Sequence, residues 1–179
     1  MARGNPEPAR GLLAPSTLDD LLLYRLSRLL ATGGNMVTRL CEGRFGITRR
    51  EWRLLALLAR QPGLLSSQLA ERAQLDRART SRAVTSLVAK QLLQRQAASA
   101  DRRQARLALT AQGQALHDAL FPLVTAINRD MLSVLDAPEL AVLDSALGRL
   151  QQQAESLQAT AVLPKANRRR GGRARVAGE

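Results

Sequence analysis

A chain of 179 residues can bury one sizeable core, and with 45% hydrophobic but only 2% aromatic residues that core is built from Leu, Ala and Val. Such a composition favours packed helices over a β-sandwich. The net charge of +12 and pI of about 11.6 point to a polyanionic partner, nucleic acid before an anionic membrane, and a single cysteine excludes an intrachain disulfide.

Residues 1–15 hold Pro6, Pro8, Pro15, Gly4 and Gly11 and read as a flexible arm without the long apolar core of a signal peptide. No apolar run is long enough to span a bilayer. Ser16 followed by Asp19 resembles a capping box, and the spacing predicts a helix over 17–43 inside a segment 16–46. Its stripe is Leu18, Leu22, Leu26, Leu29 and Leu30, which Leu21 and Leu23 widen beyond one core contact; that breadth suggests a second chain. Gly33 and Gly34 predict a weak or bent middle. Thr48 and Glu51 then cap a helix running to Arg60 that buries Trp52, Leu55 and Leu58, and Gln61-Pro62-Gly63 is a turn.

The stretch 64–110 reads as two short helices followed by a basic hairpin. The first helix is expected over 67–73 with Ser66 as N-cap, and the second runs from Asp76, its N-cap, to about Gln91. Thr80, Val84, Leu87 and Val88 form its inward stripe, while Arg77, Ala78, Ser81, Arg82 and Thr85 face outward. Arginines and hydroxyls on the first turns are what a helix needs to reach base edges and phosphates in a major groove. Strands are expected over 92–96 and 105–109, with Asp101, Arg102 and Arg103 near the tip between them. Two arginines there can enter a minor groove or lie along phosphates. Helix, helix and basic hairpin make a winged helix-turn-helix over 47–109. The segment 66–110 holds nine Lys or Arg against three acids, so it is basic in its own right.

Thr110 caps a long helix expected to reach Leu135, with Leu116, Leu120, Leu123, Val124, Ile127 and Met131 as its stripe and a kink at Pro122. Asp136 and Glu139 cap a last helix to about Ala159, where Leu140, Leu143, Leu147, Leu150, Ala154 and Leu157 alternate spacings of three and four like a coiled-coil seam. The segment 110–160 is therefore helical, and 161–179 is a basic, Gly-rich tail expected to be disordered. That tail adds non-specific DNA affinity by counterion release or simply solubilises the chain.

These features resemble the MarR family of bacterial transcription regulators. The resemblance covers about 18–157 and rests on Ile47-Thr48 with Trp52 and Leu55, on the run 65–90 through the helix-turn-helix, and on Asp101-Arg102-Arg103 followed by Leu109-Thr110 and Gly113. It departs at Gln91, where the family usually has Gly, and at Ala97-Ala98-Ser99-Ala100, which lacks the common prolines. The resemblance implies a mainly α fold in which N- and C-terminal helices intertwine as a homodimerisation domain and carry two winged lobes. It implies DNA contacts from Arg77, Ala78, Arg79, Ser81 and Arg82, with Arg102 and Arg103 on the wing and Asp101 holding it. It also implies a small-molecule cleft, for which Tyr24, Arg25, Arg28, Arg49, Trp52 and His117 are the candidates for stacking and carboxylate pairing.

Each candidate has a plainer reading. The arginines suit a solvated helix face, Asp101 and Arg103 an ordinary turn, Trp52 the core, and Cys41 a structural thiol rather than an oxidant sensor, since there is no resolving cysteine. One His and one Cys make a poor metal site, and no phosphate loop or Ser/His/Asp arrangement suggests an enzyme. The expectation is a cytoplasmic homodimer without metal or cofactor that binds a near-palindromic double-stranded operator. It would act as a repressor released by a small aromatic carboxylate or phenol. The alternative is a non-specific or architectural DNA-binding protein. A membrane-surface protein would need arginines along a whole helix.

Overall fold

The computed structural model describes residues 10–96, 105–162 and 164. In chain order they form α1 (Arg10–Leu13), a 3₁₀ turn (Leu18–Asp20), α2 (Leu22–Phe45), α3 (Arg49–Arg60), β1 (Leu64–Leu65), α4 (Ser66–Arg72), α5 (Arg77–Ala89), β2 (Leu93–Gln96), β3 (Arg106–Leu109), α6 (Ala111–Leu132) and α7 (Ala137–Thr160). The three strands form one antiparallel sheet in the order β1-β3-β2, with Leu64 opposite Leu107 and Leu93 opposite Leu109. A helix-turn-helix followed by a two-stranded hairpin, with β1 on the hairpin's outer edge, is a mainly helical winged-helix fold. Residues to Ser133 form one compact unit, and α7 belongs to a second.

The core of the first unit is aliphatic. Leu54, Leu55 and Leu58 of α3 pack with Leu69 of α4, Val84 and Leu87 of α5, Leu93 and Leu107 of the hairpin, and Leu120 of α6. Local chemistry sets the element ends. Thr48 Oγ1 accepts from Glu51 N–H while the Glu51 carboxylate accepts from Thr48 N–H. Asp76 Oδ1 accepts from Arg79 N–H at 2.7 Å and starts α5. Thr110 Oγ1 accepts from Gly113 N–H and starts α6. Gly113 is required there, because a Cβ would collide with the Leu92 carbonyl oxygen.

Several expectations are corrected. The helix over 17–43 is two elements. The Asp20 carboxylate, rather than Asp19, accepts from the backbone N–H and the hydroxyl of both Ser16 and Thr17. These bonds, the backbone ones first, lower its pKa to about 2. They hold a 3₁₀ turn, Leu21 is extended, and α2 restarts at Leu22. The described part of the N-terminal arm contains the helical turn α1. Helix α4 starts at Ser66, one residue early, with Gln68 Oε1 accepting from Leu65 N–H. Ala83 joins the inward stripe of α5, and Val88 is only half-buried. Helix α6 continues through Pro122 and ends at Leu132.

Gly33 and Gly34 serve close packing. Both are buried in α2, Gly33 against the Met131 thioether and Gly34 against the Arg49 guanidinium, each closer than a Cβ would allow. Gln91 keeps the turn that the family usually makes with Gly. It adopts φ 60°, Leu92 N–H donates to Leu87 C=O, and Gln91 C=O accepts from Thr110 Oγ1.

Candidate nucleic-acid interface and adjoining cleft

Helix α5 buries Thr80, Ala83, Val84 and Leu87 and leaves Arg77, Ala78, Arg79, Ser81, Arg82 and Thr85 exposed. The arginines are not equivalent. Arg79 Nε pairs with Asp76 Oδ2 at 3.0 Å, so its charge is partly neutralised at the cap. Arg77 and Arg82 have no hydrogen-bond or ion-pair partner among the described residues and remain free for an anion. Arg95 of β2 donates to Thr85 Oγ1 at 3.4 Å, which places a strand arginine beside the exposed helix face. Spacing alone does not single out Arg95; its one signal is a single positive charge on the strand that follows the recognition helix. Asp101, Arg102 and Arg103 lie outside the described residues.

A half-buried ion pair fixes the far end of α5. Glu51 is 3% exposed, and its carboxylate accepts from Lys90 Nζ at 3.0 and 3.2 Å. Lys90 also donates to the Gly46 carbonyl, so it ties α5 to both the cap of α2 and the start of α3. Burial alone would push the Glu51 carboxyl up; hydrogen bonds from Ser86, the Thr48 backbone and Lys90 outweigh it and hold the group below the ordinary carboxylate range.

On the other side of α3 lies a cleft of about 650 Å³. It brings together three of the residues expected to bind a small molecule, Arg49, Trp52 and His117, with a fourth wall, Phe121, that was not among them. Trp52 and Phe121 both stack on the His117 ring, each with centroids 5.4 Å apart. Trp52 is 7% exposed, so it is core and cleft wall at once. Phe121 stands four residues after His117 on one helix face, and that spacing is its signal in the sequence. His117 Nδ1 lies 3.0 Å from Asp118 Oδ1. Hydrogen bonds from His117 and then Gln114 hold Asp118 below the usual carboxylate range.

Tyr24, Arg25 and Arg28 stand elsewhere. Arg28 pairs with Asp19 at 2.7 Å, and with Arg25 it lines a separate polar cleft. These residues precede the part of α2 that faces the aromatic cleft, at Val37, by nine or more positions, or roughly 14 Å along the helix. Cys41 is fully buried in the core, and burial raises its pKa despite the nearby Arg49 charge, so it is held as the unreactive thiol.

Among the described residues no helix is long and apolar enough to cross a membrane. Residues 45–104, the winged-helix segment, match the model of the MarR family. No curated protein matches the chain. Among solved structures, a MarR-family transcriptional regulator from Silicibacter pomeroyi is 26% identical, with 84% of this chain and 97% of that one covered and a TM-score of 0.66. PcaV from Streptomyces coelicolor, a transcriptional regulator solved in complex with its natural ligand, is 25% identical over 79% of this chain and 99% of its own, with a TM-score of 0.64. S. aureus MepR, solved in a DNA complex, shares the fold at 20% identity, covering 77% and 99% with a TM-score of 0.68. The family match falls on the segment whose exposed arginines suit DNA, and the fold follows these regulators along almost their whole length. On that evidence residues 45–104 are a winged helix-turn-helix segment of the MarR family, in a chain similar over most of its length to MarR-family transcriptional regulators.

Proposed function

We propose that the protein is a homodimeric repressor that binds a near-palindromic operator and is released by a small aromatic carboxylate or phenol. One observation carries the reading. Helix α3 lines the aromatic cleft with Arg49 and Trp52, and between them in sequence Glu51 clamps Lys90 at the end of the recognition helix. A ligand pressing on α3 therefore acts on the helix that reads DNA. Two copies are needed because α2 exposes Leu23 at 79%, and α7 exposes Leu147, Leu150 and Leu157. In the cell such a dimer acts in the cytoplasm, where the operator is.

On each half-site Arg77 and Arg82 contact bases or phosphates, Ala78 and Ser81 allow close approach, and Arg79 both caps α5 and contributes charge. Asp101 holds the wing, whose Arg102 and Arg103 reach the adjoining minor groove. Release follows if the ligand favours a lobe spacing that no longer matches the two half-sites.

The test is fluorescence anisotropy on an operator selected from a random DNA pool. Preference over random DNA of about a thousandfold or more is expected, and Arg77→Ala or Arg103→Ala should each cost roughly 1–3 kcal/mol of binding. Equal affinity for operator and random DNA would instead establish a non-specific, architectural binder.

A further inference from the structure

Two clefts share a wall, and the charged group on that wall is a guanidinium without a partner among the described residues. The aromatic cleft is walled by Trp52, His117 and Phe121. A second, of about 450 Å³, is aliphatic, with Leu26, Leu30, Ile127 and Met131. Val37, Arg49 and Val124 line both. His117, Phe121, Val124, Ile127 and Met131 follow one face of α6, so the double cleft runs for roughly 21 Å at the helical rise. Arg49 thus stands where the ring-lined and chain-lined halves meet; of the other two arginines on the aromatic half, Arg53 and Arg60, Arg53 donates to the Ala73 carbonyl.

Arg49 is seated there by the glycines of α2. A side chain at Gly34 would overlap its guanidinium, and one at Gly33 would overlap Met131, which walls the aliphatic half. Among the described residues Arg49 has no carboxylate partner and donates no hydrogen bond. A half-buried cation without a partner among the described residues, set between a ring-lined and an aliphatic half, is complementary to an anion of matching layout.

We infer that the cleft takes a carboxylate bearing an aromatic ring on one side and an aliphatic chain on the other. An N-acylated aromatic amino acid has that order: ring, carboxylate-bearing carbon, acyl chain. The ring stacks beside Trp52 and Phe121, the carboxylate pairs with Arg49, and the chain covers Leu26, Leu30 and Ile127. The inference rests on the effector reading above and narrows the ligand class.

Trp52 is the chain's single tryptophan, so its fluorescence reports the aromatic half directly. The full-length protein is titrated with N-acetyl-phenylalanine, octanoate and N-octanoyl-phenylalanine, and operator release is measured in parallel. N-octanoyl-phenylalanine should bind at least about tenfold more tightly than either shorter probe, since even partial burial of the added methylenes exceeds that factor. Arg49→Met should weaken all three. Leu30→Asp should remove the gain from the chain and leave N-acetyl-phenylalanine binding unchanged.

If N-acetyl-phenylalanine quenches Trp52 and releases DNA while the acyl chain adds nothing, the two-chamber inference fails and the effector reading stands. If no probe quenches Trp52 or releases DNA, both fail. If the chain adds nothing and Leu30→Asp breaks the dimer, the aliphatic half is a contact between copies and the inference fails. The wild-type comparison decides the matter even if a variant does not fold.

Discussion

Helices α3 and α7 begin with the same device and end in opposite situations. Thr48 with Glu51 caps one, and Asp136 with Glu139 caps the other. Helix α3 then buries Leu54, Leu55 and Leu58 to within 1%, whereas Leu143, Leu147, Leu150 and Leu157 of α7 are 37–56% exposed. Capping chemistry satisfies a helix's first N–H groups wherever the helix goes. What an apolar stripe is buried against is a separate question: among the described residues nothing buries that of α7, and in the dimer proposed above a second copy covers it.

The sharpest way to break this contrast is to charge the α7 seam. Leu147→Asp with Leu150→Asp should turn the dimer into a monomer by light scattering. It should also weaken operator binding by roughly two orders of magnitude or more, because the second half-site contact is lost. Leu58→Ala should behave differently: it costs about 2–5 kcal/mol of stability by cavity formation, independent of protein concentration. Dilution should destabilise the wild type through α7 but leave the Leu58→Ala penalty unchanged.

Glu51→Gln tests the joint between α3 and α5. Lys90 is 37% exposed, so the loss is expected near 1–3 kcal/mol in urea unfolding at neutral pH. The Glu51 carboxyl sits below its unfolded value when folded, so its contribution is present above the unfolded pKa and disappears as pH falls through the folded one. The gap between wild type and variant should therefore close in acid; a gap that stays constant would show that charge is not what holds the joint.

The smallest effect is expected at Gln91. Replacing it with Gly relieves a left-handed residue at φ 60° and should raise stability by roughly 0.5–1 kcal/mol, read as a modest rise in Tm. The operator affinity of Gln91→Gly should not change, since the turn is already formed.

Much of the fold is legible in the sequence because its determinants are local. Thr48, Asp76, Thr110 and Asp136 announce helix starts through bonds to residues three positions on, and the stripes of α3 and α5 follow from helical spacing. The turn at Leu21 is not legible in this way, because Asp19 and Asp20 both fit a cap, and only the geometry shows that Asp20 takes all four donors. The effector candidates are half legible for the same reason: Arg49, Trp52 and His117 converge, while Tyr24, Arg25 and Arg28 sit on an earlier part of α2.

By itself, then, the sequence determined most helix starts, the two strands of the hairpin and which arginines begin the recognition helix, since neighbours within a turn or two decide them; α1, the break at Leu21 and strand β1 were not among these. Tertiary structure decided the rest. It ties Arg79's charge to Asp76 and leaves Arg77 and Arg82 without a partner among the described residues. It joins Glu51 to Lys90 across 39 residues. It makes Gly34 the seat of Arg49. Each depends on groups brought together by packing, and residue spacing along the chain carries no record of which distant partner will arrive.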